Sequence, residues 1–355
     1  MPLEPEKLIL VKNLLKSLMS YCEIPEEKKC ISYIHSPVLC QSKNKGDLNA
    51  LKSHVVPLNQ LVKLKSTSGN KLYTILGGSG ENKYSPLVKS PEKAVFKGFC
   101  QNCERYFYDK LFNIDNLNQV EVKQGHIYKS MLRYMGSIIA EKTNYIEFLQ
   151  TIRSNKNFNG LSNTDLYSII TSLIEVDGAE FIKKELDNCK KDLKELSFWF
   201  NKIGLYLLSA EKKPNENNDF QLLKQIELDR NLGILGQTLI FLTDENSLYE
   251  RIPCFVWFSE KDDKTVIYLF ADSNHNGYKK KFDNLEKDLN GESTIIYLLS
   301  LALYNSNQVY FSEPFLKTGY LEKVSEFIKK QKNLNENSNI FWNFYDRLLK
   351  LQNSL

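Results

Sequence analysis

In the stretch GFCQNC, residues 98–103, Cys100 and Cys103 are separated by two residues, a spacing that lets both thiolates reach one metal ion from a single knuckle turn. A tetrahedral structural site needs two more ligands. Cys30 and Cys40 are the leading upstream pair, with Cys22 and His35 as substitutes, and Gly98 fits the sharp backbone of a knuckle. Five of the seven cysteines fall in the first 103 residues, whereas Cys189 and Cys254 stand alone in apolar segments. An odd number of cysteines in a chain this long argues against a disulfide framework, and their clustering points to metal. The ion expected is Zn2+ in a structural role.

His54, in SHVVPL (53–58), is one of only four histidines and is expected in a short strand at His54–Val56. By itself this residue has two plain readings, a zinc ligand or the end of a buried strand. Between Cys40 and Lys97 there are ten lysines and three acidic residues, a local balance of +7 inside a chain of net charge +4. Such a field attracts a polyanion, most commonly a nucleic-acid backbone; the alternative is a solvated lysine-rich loop. The run GGSG (77–80) lacks the Gly-Lys-Ser/Thr ending and the strand-loop-helix setting of a phosphate-binding loop.

The combination of SHVVPL with GFCQNCERYF (98–107) resembles the His-Asn-His (HNH) endonuclease pattern, in which a histidine at a strand end precedes a cysteine pair that opens the helix of a ββα-metal fold. It is also similar to an uncharacterised bacterial group with a Ser/Ala-His step and a Phe-x-Gly-Phe-Cys turn. The likeness covers roughly residues 28–112, with a weaker continuation in 254–316. It implies a metal-dependent endonuclease cleaving phosphodiester bonds of DNA, an effector in bacterial defence against phage or foreign DNA. His54 would be the general base, and Mg2+ or Mn2+ the catalytic ion. Cys30, Cys40, Cys100 and Cys103 would hold the separate structural zinc. The chain departs from the HNH pattern at Ser53, where an acidic residue is usual, and in the helix, where Glu104 and Asp109 are the oxygen ligands on offer in place of Asn and His. The implied partners are DNA ahead of RNA and a protein subunit supplying target recognition. The rival readings are a non-catalytic, zinc-stabilised nucleic-acid-binding module and a scaffold protein.

These residues need elements to hold them. Residues 28–65 read as irregular zinc-loop chain ending in a short strand at His54–Val56, and 66–94 as a glycine-rich hairpin and loop with KLYTIL as its strand. A helix is expected over the Cys100–Cys103 turn, and long helices from about His126 to Ile152 and through 162–209. Buried Arg133 would need a carboxylate, with Glu141 the candidate. QTLIFLTD, IPCFVWFSE and KTVIYLFADS read as strands, followed by helices and the strand QVYFS. The expected class is α+β, divided into a zinc-bound HNH-like module (1–115), a helical segment (116–210) and a C-terminal α+β domain (221–355). Hydrophobic content of 42% excludes wholesale disorder, and no apolar run reaches the roughly 20 residues that span a bilayer. A cytoplasmic protein without membrane association is expected.

Overall fold

The computed structural model describes residues 28–42, 45–56, 58–66, 69, 71–75, 86–91, 95–107, 124–154, 178–212, 220–228, 230–244, 247–261, 263–272, 291–305 and 309–330, with single positions at 10–11, 14–15, 168 and 172. In chain order the first elements are α1 (Ile31–His35), β1 (Leu51–His54), α2 (Leu58–Ser66), β2 (Leu72–Ile75), β3 (Pro86–Lys89), β4 (Val95–Phe99) and α3 (Gln101–Phe107). Two long helices follow, α4 (Gln124–Ser154) and α5 (Gly178–Lys212). Then come β5 (Phe220–Glu227), β6 (Ile234–Asp244), β7 (Ser247–Lys261), β8 (Lys264–Asp272), α6 (Gly291–Asn305), β9 (Val309–Phe311), α7 (Glu313–Leu316) and α8 (Tyr320–Lys330).

Strand alternation builds the centre. On β7, Cys254, Val256 and Phe258 point into one core, and Phe255 and Trp257 into another. On β8, Ile267, Leu269 and Ala271 join the first core and Phe270 the second. A strand buried on both faces reads as a continuous apolar run, which is how CFVWF and VIYLF look in the sequence. Asp263 turns the chain between these strands at φ 58, a left-handed conformation that Asp tolerates better than most residues. The sheet has seven strands in the order β3-β2-β9-β6-β7-β8-β5, every pair antiparallel.

The first core lies under α6, whose Ile295, Leu298, Leu299 and Ala302 face the sheet. The second lies under the helical pair. Tyr128, Met131, Leu132, Met135 and Ile139 recur along α4 at helical spacing, as do Leu196, Trp199, Ile203 and Leu207 along α5. The result is a mixed α+β architecture: a sheet with helix α6 on one side and the α4–α5 pair on the other.

Two helical glycines seat the N-terminal elements on this pair. A Cβ at Gly136 would lie 2.6 Å from Cζ of Phe99, and one at Gly204 would lie 2.1 Å from Cδ1 of Leu39. Both side chains occupy the space that any larger residue would fill.

Several expectations need correction. Residues 58–66 form helix α2 and not irregular chain, because Leu61 and Leu64 share one face and pack with Leu72, Leu235 and Tyr310. The strand at His54 ends there and does not continue to Val56. Gly98 lies inside β4 and is not among the glycines with left-handed φ; the ring of Phe96 demands it, since a Cβ there would lie 2.2 Å from Cε2. Strands β2 and β3 join the large sheet through β9, with Tyr73 opposite Phe311 and Thr74 opposite Tyr310. Among the described residues, no helix is long and apolar enough to cross a membrane.

Candidate metal centre

Four thiols converge where α1, the antiparallel β1–β4 pair and α3 meet. The chain around Cys30 is held by bonds from Cys30 N–H to the Leu48 carbonyl and from Ala50 N–H to the Lys28 carbonyl, both 2.7 Å. Cys40 follows a tight 3-10 turn at Pro37–Leu39. Cys100 closes β4, and Cys103 sits in the first turn of α3, where Glu104 N–H donates to the Cys100 carbonyl at 2.8 Å. All four sulfurs lie within 4.8 Å of one another, and Cys40 and Cys103 are 3.8 Å apart. Zinc–sulfur bonds of about 2.3 Å at tetrahedral angles place sulfurs ~3.8 Å apart, so the donor set fits one zinc ion. Gln41 N–H donates to Cys103 Sγ at 3.3 Å, a supporting bond of the kind that metal-bound thiolates accept. Cys30, Cys100 and Cys103 are buried, and Cys40 is partly exposed.

The electrostatics point the same way. The hydrogen bond between Cys103 and Cys30 brings the Cys30 thiol down to about 5 and drives Cys103 far above the ordinary thiol range, with burial adding to the rise. Burial also raises Cys40, reinforced by charge on Cys30. One thiolate thus opposes the ionisation of its neighbours. A divalent cation is what allows four to ionise together in so small a buried volume.

Of the two substitutes, His35 is engaged elsewhere. His35 Nδ1 lies 2.7 Å from Ser197 Oγ, whose own proton goes to the Leu193 carbonyl at 2.6 Å, so the imidazole donates to the hydroxyl. Together with Ser36 Oγ donating to Asn201 Oδ1 at 2.7 Å, this docks the knuckle on α5. Cys22 and Asp109 lie outside the described residues, as does the GGSG run.

Beside the thiols is a second polar cluster. Arg133, from α4, donates through Nη2 to Glu104 Oε1 at 2.9 Å and through Nε to the His54 carbonyl at 3.0 Å; Nη2 also reaches that carbonyl. Ser53 Oγ donates to the other Glu104 oxygen at 2.7 Å. Arg133 is 7% exposed and Glu104 22%, so the ion pair is largely withdrawn from water. The carboxylate partner of Arg133 is therefore Glu104 and not Glu141. Helix periodicity favours partners on the same helix, and this one comes from another element 29 positions away.

Successive strand residues face opposite ways, so Ser53 and His54 divide between the two sides of β1. Ser53 is buried against Glu104, whereas His54 is half-buried with its Nε2 enclosed. The structure thus brings Glu104 to Ser53 and Arg133, and sets His54 on the other face of the strand. No protein family, curated protein or solved structure matches this chain.

Proposed function

We propose that this chain uses a zinc-stapled ββα unit to engage nucleic acid, as a binding module whose metal is structural. The observation that carries this reading is the order β1, β4, α3 closed by four thiols at metal-binding distances, in the lysine-rich part of the chain. The order of parts and the SHVVPL and GFCQNC motifs are those of the HNH resemblance. Glu104, one of the two carboxylates the sequence offers to a catalytic cation, is instead committed to Arg133 and Ser53. A carboxylate already paired with a guanidinium is a poor ligand for Mg2+ or Mn2+.

The second reading is metal-dependent cleavage of DNA with His54 as general base, as an effector of defence against foreign DNA. It is favoured by the position of His54 at the end of β1, on the strand face that also carries Lys52. One paired experiment separates the two: wild type and His54→Ala are compared for zinc content, for DNA binding at low salt, and for nicking of supercoiled DNA with Mg2+ or Mn2+. Binding and zinc retained in both proteins without nicking support the module. Nicking by wild type alone establishes cleavage at His54, and the absence of DNA binding in both removes the nucleic-acid reading.

A further inference from the structure

We infer that the Lys52–Lys97 side of the β1–β4 strand pair is a contact site for a nucleic-acid phosphate backbone, with these two lysines as its facing cations; this rests on the nucleic-acid reading above. The register sets Lys52 opposite Lys97, Ser53 opposite Phe96 and His54 opposite Val95. Opposed residues share a face and neighbours alternate, so Lys52, Lys97, His54 and Val95 line one side, and Ser53 and Phe96 the other. Burial agrees: Ser53 and Phe96 are buried, His54 and Val95 half-buried, and both lysines exposed.

The pairing thus sets two exposed ammonium groups side by side across a two-stranded sheet. Opposed Cβ atoms lie about 5 Å apart, so both ammonium groups can reach the same phosphate or its neighbour. A phosphate backbone bound by lysines releases its condensed counterions, which makes the contact salt-dependent. Lysine acts as a point charge and not as a bidentate fork, so the contact positions a backbone without reading bases. Charged residues also guard exposed sheet edges against unwanted pairing, and the experiment below separates that role from phosphate contact.

The test uses full-length wild type, the double variant Lys52→Gln/Lys97→Gln, each single variant, and Lys184→Gln on the exposed surface of α5 as control. Fluorescence anisotropy with DNA and RNA duplexes of one sequence is followed as salt rises, with zinc content measured alongside. The double variant should keep its zinc, lose about 2 from the log–log salt slope and bind roughly tenfold more weakly at low salt, while each single variant loses about 1. Lys52→Arg/Lys97→Arg should bind like wild type, and Lys184→Gln should not change. The two duplexes show which backbone the face prefers. If the double variant fails to fold, the single variants carry the same test. Zinc-loaded variants with wild-type slope and affinity would overturn the assignment while leaving nucleic-acid binding intact. A wild type that binds neither duplex would overturn both.

Discussion

The N-terminal unit and the seven-stranded sheet are ordered by different means. The sheet buries alternate residues of β7 and β8 on both faces, so its stability is spread over two apolar cores. The unit built from α1, β1, β4 and α3 has a two-stranded sheet of four to five residues per strand, a size that is marginal alone in water. It adds few large apolar side chains of its own, among them Phe96, Phe99 and Phe107. Three devices make up the difference: the four thiols, the Glu104–Arg133 pair, and the seats that Gly136 and Gly204 provide for Phe99 and Leu39. A diffuse core tolerates single losses, whereas a unit held at three points does not.

The largest effect should come from the metal. Structural zinc contributes on the order of 10 kcal/mol in small zinc domains near neutral pH. Cys100→Ser is therefore expected to abolish zinc retention and open the N-terminal unit to limited proteolysis, while the far-ultraviolet signal of the sheet persists. Ligation displaces protons from the thiols, so zinc is released as pH falls. Loss of the sheet signal together with the metal would erase the distinction between the two regions.

Next in size is Arg133→Met, which leaves Glu104 without its guanidinium and should cost about 3 kcal/mol in chemical denaturation. Glu104→Gln/Arg133→Met, which removes both charges, should recover part of that loss. An unchanged midpoint in the single variant would show that the thiols alone hold the unit. Gly204→Ala places a methyl group against Leu39 and should cost about 2 kcal/mol, against almost nothing at exposed Gly46.

The smallest effect concerns pH at the docked knuckle. Burial pushes His35 below its ordinary value near 6.5, so the neutral ring is the docked form. Its contribution is complete above that value and is lost as pH falls through the window down to the lowered folded value. Wild type should thus lose slightly more melting temperature on acidification than His35→Gln. Identical pH profiles would remove His35 from the docking contact.

What could be read from the sequence was local. The Cys-x2-Cys spacing was legible because a knuckle is made by neighbouring residues, and the clustering of cysteines in the first 103 residues pointed to Cys30 and Cys40 as its long-range partners, with Cys22 and His35 left as substitutes. The long apolar periods of α4 and α5 and the runs that became β6, β7 and β8 were legible for the same reason. Long-range pairings were not. Glu104 meets Arg133 across two elements, and β2 enters the sheet through β9, more than 230 positions away. Helix α2 was missed because nine residues carrying three lysine or asparagine side chains give a weak period, and its apolar face acquires meaning only against Leu235 and Tyr310.

The most direct test of the four-thiol site is X-ray absorption at the zinc edge on the protein as purified. One zinc per chain with four sulfur neighbours at about 2.3 Å is the expected result. A nitrogen or oxygen ligand in the first coordination sphere, or a chain that folds fully without metal, would contradict it.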